Sequence, residues 1–253
     1  MKYNGINVWL SFLSSPVRVF RVIKMASPRI FIVISAYNES SRLGNVLETL
    51  HNSNYEHIVV VDDGSRDKTA QVAAKYPCHV LRHGINRGQG AGLQTGISYA
   101  LRQNADIIVT FDADGQHDAA EIPLLVAPLL SGEAEITLGS RFLGKAVSIP
   151  WSRKVLLYGG RIFTRLTSGL KLTDCHNGFR AISRSAAEKI HLSQDRMAHA
   201  SEFYDQIAKH HLRYKEIPVT ITYNADVMAK GQNNLQSLHV LFHYLFQKAF
   251  GNP

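Results

Sequence analysis

From Arg29 onward, short runs of β-branched residues alternate with segments whose apolar positions recur every three or four residues, the rhythm of strand followed by helix. Ile30 to Ile34 reads as a strand and Ser41 to Leu50 as a helix. Ile58 to Val61 and Lys68 to Lys75 repeat the pair, and His79 to Arg82 with a glycine-led helix from Gly90 to Gln103 repeats it again. Ile107 to Phe111 supplies a fourth strand. These strand runs are apolar on both faces, as parallel strands covered by helices on two sides require. The pattern predicts a doubly wound α/β layer, a Rossmann-like, mostly parallel sheet flanked by helices.

Past Leu138 the rhythm changes. Trp151 to Thr167 reads as a helix, Gly178 to Ile182 as a short strand, Ser201 to Lys209 as a helix and Tyr214 to Tyr223 as a strand in which Pro218 signals an edge or a bulge. Leu238, Leu241, Phe242, Leu245, Phe246 and Ala249 recur at helical spacing, and core packing is the favoured use of that stripe. Three segments result: an N-terminal extension over 1–27, a main domain over 28–234 and a C-terminal amphipathic helix over 235–253. Met25 stands directly before the regular pattern, so the first residues read either as a leader or as a basic amphipathic segment. In the second reading Trp9, Phe12, Val19 and Phe20 lie beside Arg18, Arg21 and Lys24 on an anionic membrane.

With 253 residues, 45% of them hydrophobic and 19% charged, the chain supports a sizeable core and is not disordered. No apolar run approaches the roughly 20 residues that span a bilayer, and no secretory signal is recognised. Cys78 and Cys175 have neither metal-ligand spacing nor the look of a disulfide framework, which points to the cytoplasm. The formal charge of +8 favours phosphate-rich partners, among them nucleotides, anionic lipid headgroups and nucleic acid. Nucleic acid is set aside because no basic helix or aromatic platform accompanies the charge.

Chemistry collects at the strand ends. Phe111-Asp112-Ala113-Asp114-Gly115-Gln116-His117 places two carboxylates two residues apart beyond a strand, where a turn at Gly115 lets them converge on one cation. Alone, such a pair is more often an ordinary acidic turn. Val61-Asp62-Asp63-Gly64-Ser65-Arg66-Asp67 ends a second strand; Asp62 or Asp63 there can accept hydrogen bonds from a base or ribose, while Ser65 or Asp67 caps the next helix. Ala36-Tyr37-Asn38-Glu39 brings an aromatic ring and polar groups to the same edge. The stretch Arg82 to Gly92 lacks a complete G-x-G-x-x-G, since position 93 is Leu, and it follows the third strand; a dinucleotide dehydrogenase is disfavoured. Its glycines serve either a loop whose backbone and Arg87 approach a ligand, or tight packing of helix on strand.

Taken in order, Ala36-Tyr37-Asn38-Glu39, Val61 to Thr69, Asn86-Arg87-Gly88-Gln89-Gly90-Ala91, Asp112 to His117 and Gly139-Ser140-Arg141 resemble the motifs of family 2 glycosyltransferases. Dolichyl- and polyprenyl-phosphate sugar transferases and small bacterial enzymes of surface-polysaccharide assembly are the most similar members. The resemblance covers about Ile30 to Gln232 and implies a GT-A fold with a C-terminal acceptor-side subregion. It implies a nucleotide-diphosphate sugar donor bound by Ala36, Tyr37, Glu39, Asp62, Asp63, Arg87, Asp112 and Ala113. It also implies Mg²⁺ or Mn²⁺ at Asp112, Asp114 and Gln116, neutralising the departing diphosphate during an inverting, in-line displacement.

On the acceptor side, Asp174-Cys175-His176-Asn177-Gly178-Phe179-Arg180 resembles the family's Asp-x-x-x-Gly-Phe-Arg segment. Glu202 is the first candidate for a general base, grouped with Asp174 and Arg141, and equally reads as a capping partner. A polyprenyl-phosphate acceptor is already anionic and needs no base; Arg141, Arg180 and Lys230 would then clamp it. Ala229-Lys230-Gly231-Gln232 is similar to the small bacterial members rather than to the dolichyl-phosphate enzymes. The acceptor is thus a lipid-linked group or a saccharide, with peripheral contact at the inner face of a membrane in the lipid case. A nucleotide-binding module without turnover is the rival reading. His239 and His243 are a disfavoured metal pair, and His176, His199, His210 and His211 read as surface or structural.

Overall fold

The computed structural model describes residues 27–147, 151–194 and 198–222. The N-terminal extension up to residue 26, Lys230, His239, His243 and the C-terminal amphipathic helix lie outside the described residues. The strands are β1 (Ile30–Ala36), β2 (His57–Asp62), β3 (His79–Arg82), β4 (Ile107–Thr110), β5 (Ile136–Val147), β6 (Arg180–Ser183) and β7 (Tyr214–Thr222). The helices are α1 (Leu43–Asn52), α2 (Thr69–Ala73), α3 (Gln89–Arg102), α4 (Ile122–Leu130), α5 (Trp151–Ser168), α6 (Arg184–Ala187) and α7 (His199–Lys209).

All seven strands join one sheet in the order β3-β2-β1-β4-β6-β5-β7. Only β6 runs against its neighbours; β1 pairs in parallel with β2 and β4, and β5 with β7. Alternation along β1 explains the two-layer cover. Ile32 and Ile34 point into a cluster with Leu43, Val46, Leu47 and Leu50 of α1, whereas Phe31 and Val33 meet Leu93, Ile97 and Ala100 of α3 on the opposite face. The doubly wound, mostly parallel sheet read from the sequence is therefore the observed one.

Two elements escape the hydrophobic pattern. α4 is apolar nearly all round and carries Pro123 in its first turn and Pro128 inside, which hides a helical period. β5 loses its apolar run at Leu138, and its pairing with β7 shifts register between Ser140 and Lys145. Pro218 sits opposite Ser140 at that irregularity, on the outermost strand, so the edge and the bulge both occur.

The glycines of α3 serve close packing. A Cβ on Gly92 would lie 2.1 Å from Ser35 Oγ, and one on Gly96 would lie 2.3 Å from Val33 Cγ1 and 3.3 Å from Val61 Cγ2. Ser35 can turn its hydroxyl aside, but Val33 is locked between strands. Gly96→Ala gains up to about 1 kcal/mol of helix propensity and loses about 1–3 kcal/mol to overpacking. Urea denaturation should accordingly show a net loss of stability for Gly96→Ala, while Gly84→Ala, whose Cβ meets nothing within 4 Å, stays within about 0.5 kcal/mol of wild type.

Candidate active site

The crevice at the carboxyl ends of β2, β1 and β4 is the switch point of this sheet, where chains leave to opposite sides and ligands bind in open α/β folds. Beyond β1 the chain turns at Asn38, which adopts a left-handed φ of 55°. The turn is held by Ser65 Oγ, which accepts from Asn38 N at 2.9 Å, and by Asn38 Oδ1, which accepts from Arg66 N at 2.9 Å. Asp67 ties the same turn to α2 through Ser40 N and Thr69 N. Burial alone would raise the Asp67 carboxyl, yet its hydrogen bonds from Thr69 and Ser40 bring it down to about 2.

At the β2 end lies a cavity of about 630 Å³ whose walls include Tyr37, Ser65, Arg66, Arg82, His83 and Ile85. Tyr37 is 40% exposed and offers its ring. Asp62 is fully buried beside it: Oδ1 accepts from Ser65 N at 3.0 Å, and Oδ2 faces Arg82 Nε at 3.1 Å as an ion pair without hydrogen-bonding alignment. Asp63 has a different part. Its carboxylate accepts from Arg87 N at 3.0 Å, Gly88 N at 2.6 Å and Asn86 Nδ2 at 2.9 Å, and lies 2.7 Å from His83 Nδ1. His83 Nε2 continues to Thr95 Oγ1 at 2.9 Å. Asp63 therefore fastens the glycine-rich loop, with its oxygens already occupied, and its N–H donates to Ala36 O at 2.9 Å. Neither His83 nor Asn86 stands out from the sequence as a site residue; they are found only through this carboxylate.

The β4 end presents Asp112, buried Ala113 and Asp114. His117 Nε2 meets Asp112 Oδ2 at 2.9 Å, and Gln89 Nε2 reaches Asp112 Oδ1 at 3.3 Å. Burial by itself would raise Asp112, but its hydrogen bond with His117 and the nearby Arg180 and His199 hold the carboxyl below its ordinary value. Asp114 goes the other way. Burial, then the charge of Asp112, with a smaller push from Glu39, raise it to about 6 despite a 3.1 Å hydrogen bond from Gln116 N. Glu39 itself pairs with Arg42 at 3.1 Å.

Two crowded carboxylates of this kind suit a hard divalent cation, which relieves their repulsion. Among the described residues no group of three or more His, Cys, Asp or Glu forms a metal cage, so further ligands must be amide, water or the bound substrate. Gln116 fits that need. Its buried Nε2 has no hydrogen-bond partner, and exchanging the amide's two ends puts a carbonyl oxygen there instead.

The acceptor-side residues prove to be occupied. Arg141 Nε donates to buried Asp174 Oδ2 at 2.6 Å, and its second terminal nitrogen donates to His176 O at 3.0 Å. Thr173 N and Asp174 N in turn donate to Glu216. Arg180 is buried, 4.3 Å above the Phe203 ring and 5.4 Å from that of Tyr204, with Nε on Asn177 O. Arg141 and Arg180 are thus buried and engaged within the protein, and Arg180 is close enough to act on Asp112. Glu202 accepts from Ser193 N at 3.0 Å, from Gln194 N at 2.9 Å and from Ser193 Oγ, closing the preceding turn onto α7. It takes the capping type of role rather than that of a free base. His199, read as surface or structural, is buried and close enough to act on Asp112.

With this geometry in hand, the sequence profile described as glycosyl transferase family 2 matches residues 31–191. The chain belongs to glycosyl transferase family 2. This family 2 enzyme is 40% identical over 225 residues to an uncharacterized protein of Methanocaldococcus jannaschii, covering 87% of the chain and 93% of that protein. It is 31% identical over 245 residues to a UDP-N-acetylglucosamine–dolichyl-phosphate N-acetylglucosaminyltransferase of Methanococcus voltae, covering 88% and 98%. Among solved structures, glucosyl-3-phosphoglycerate synthase of Mycobacterium tuberculosis in complex with Mn²⁺, UDP and phosphoglyceric acid superposes with a TM-score of 0.64 at 18% identity, over 86% of the chain and 78% of that one. The shared architecture is the GT-A fold.

The opposed carboxyls carry a testable sign. Asp114, at about 6 in the folded protein against roughly 3.9 unfolded, binds its proton more tightly when folded. Its ionisation therefore costs stability as pH rises through that interval, fully above about 6 and not at all below about 4. In EDTA, thermal melts should show Asp114→Asn more stable than wild type at pH 8, with the difference gone at pH 4.

Proposed function

We propose that this glycosyltransferase moves a sugar from a uridine-diphosphate sugar to a polyprenyl phosphate at a membrane surface, with Mg²⁺ or Mn²⁺ at Asp112, Asp114 and Gln116. The carrying observation is that the Tyr37 cavity with buried Asp62, and the Asp112–Asp114 pair, stand at the ends of strands flanking β1. Two strand spacings, about 10 Å, separate them, a span that a nucleoside diphosphate bridges.

The base follows from donor and acceptor pattern. Asp62 Oδ2 is an acceptor and the neighbouring Arg82 a donor, a pair that suits an imino N–H beside a carbonyl, as in uracil. Arg82 is more than half exposed and is held at the cavity wall by Asp62 and by Ser65 O, to which it donates at 3.3 Å. Guanine shares this edge; the near full-length similarity to a UDP-sugar enzyme supports uracil.

The acceptor follows from two features. Glu202 is engaged by Ser193 and Gln194, and an anionic phosphate needs no base to deprotonate it. α5 also exposes Tyr158 at 63%, Ile162 at 47% and Leu166 at 80%, four residues apart on one stripe, beside exposed Arg161 and Arg165. An apolar stripe bordered by arginines is the form of a helix that lies in an anionic lipid interface. Among the described residues no helix is long and apolar enough to cross a membrane. Similarity to a polyprenol monophosphomannose synthase of Mycolicibacterium smegmatis, 33% identical over 174 residues, supports the lipid class.

In the reaction, an acceptor phosphate oxygen forms a bond to the anomeric carbon as the bond to the β-phosphate oxygen breaks and its electron pair leaves on UDP, inverting that carbon. A bound divalent cation supplies neutralisation of the leaving diphosphate. Asp112 and Asp114 would hold it, the loop fastened by Asp63 would present Arg87 to the donor, and Tyr37 would lie against the base.

Calorimetric titration with UDP, GDP, dTDP and CDP should show strongest binding for UDP, lost in EDTA and in Asp114→Ala; binding of none of them overturns the assignment. Ile162→Asp combined with Leu166→Asp should cut sedimentation with anionic vesicles containing polyprenyl phosphate at least tenfold, and transfer with it, leaving UDP affinity in Mn²⁺ unchanged. Unaltered sedimentation removes α5 from the membrane contact.

A further inference from the structure

Asp112 is gripped from three sides. His117 Nε2 is 2.9 Å from Oδ2 and Gln89 Nε2 is 3.3 Å from Oδ1. Gly178 forms the third wall: a Cβ there would stand 2.7 and 2.8 Å from the two carboxylate oxygens. The His117 ring is 2% exposed, packed edge-on to Phe111 at 5.4 Å and tilted against Phe179 at 4.9 Å. Its remaining nitrogen, Nδ1, is buried with no hydrogen-bond partner.

That orphan nitrogen makes a purely structural account costly. A phenyl ring would fill the same aromatic slot without burying an unpaired polar atom, so the core alone favours Phe at position 117. What only the imidazole supplies is the Nε2–H donated to Asp112. With Nε2 as the donor, Nδ1 holds a lone pair, a cheaper orphan than an N–H, and the ring is fixed in one tautomer.

Resting on the metal reading of Asp112 and Asp114, we propose that His117 is a positioning residue that sets the orientation of the Asp112 carboxylate for the divalent cation, with Gly178 as the wall that leaves room for it. The imidazole directs one oxygen downward and thereby fixes where the other lone pairs point. Partners of this kind around a ligand change metal affinity by about 10–100-fold when removed.

His117→Phe, His117→Gln and Gly178→Ala separate this role from packing. Mn²⁺ titration followed by electron paramagnetic resonance, without nucleotide, reads the site directly, and thermal melts in EDTA read the fold. His117→Phe should melt at or above the wild-type temperature yet bind Mn²⁺ at least tenfold more weakly. His117→Gln, which keeps a donor at the Nε2 position, should recover much of that loss, and Gly178→Ala should weaken Mn²⁺ while His117 is intact. Wild-type affinity in His117→Phe, with wild type binding Mn²⁺ normally, overturns the positioning role and leaves the proposed function standing. Absence of Mn²⁺ binding in wild type itself overturns both.

Discussion

The site depends first on β1 being buried on both faces. Parallel strands are joined by crossover connections that lay helices over both faces of the sheet. Parallel neighbours end at the same edge, so the turns after β1, β2 and β4 must meet there. Ala36, Asp62 and Thr110 are the last strand residues before those turns, and Tyr37, Asp63 and the Asp112–Asp114 pair follow within a few positions. The close fit of α3 against β1 through Gly92 and Gly96 serves the same end, because α3 begins at Gln89 and so brings that amide to Asp112.

Asp63 shows how such an edge is made rigid. A loop of Gly84 to Gly88 would be an unlikely structural member by composition, since glycine loses the most backbone entropy on ordering. One buried carboxylate compensates by gathering two backbone N–H groups, an amide and an imidazole. Charge-assisted bonds of this sort are stronger than neutral ones, and four converging on one group also fix one another's geometry. The aspartate next to it keeps an oxygen without a hydrogen bond. Adjacent residues at one strand end thus divide into one that builds the loop and one that pairs with Arg82 and Ser65 at the cavity, because successive side chains of a strand point to opposite faces.

What could be read from the sequence was whatever repeats locally. The strands from β1 to β4 and the helices between them announce themselves through periodicity, and Asp112-Ala113-Asp114 through spacing. Interactions that join distant positions leave no such trace. His83 with Asp63, Gln89 with Asp112, and Asp174 with Arg141 are separated by 20, 23 and 33 residues, and nothing in either member's neighbourhood names the other. The same blindness hid the partners of Arg141, Arg180 and Glu202: their residue types suit a clamp and a base, while Asp174, Phe203 and Ser193 engage them in the fold. β5 was missed for a different reason. Its pairing breaks around Ser140, where the chain diverts toward Thr173 and Asp174, and a strand interrupted in this way has no continuous apolar face to detect.

The two aspartates of the β4 turn differ by environment rather than by residue type. Asp112 lies over Gly178 and is surrounded by His117, Arg180 and His199, so it stays ionised at the expense of buried positive charge. Asp114 receives little of that compensation and bears the repulsion of its neighbour. The first is therefore a fixed anion and the second a group whose charge becomes favourable once a cation arrives. An arrangement of two equal carboxylates would either bind a cation with no internal orientation or share a proton between them. Unequal ones fix which oxygen leads; the inequality originates first in the hydrogen bond between His117 and Asp112 and in the burial of Asp114, with Arg180, stacked on Phe203 where β6 meets α7, adding its charge. The second half of the chain thus acts on the nucleotide side of the site through charge as well as by forming its wall.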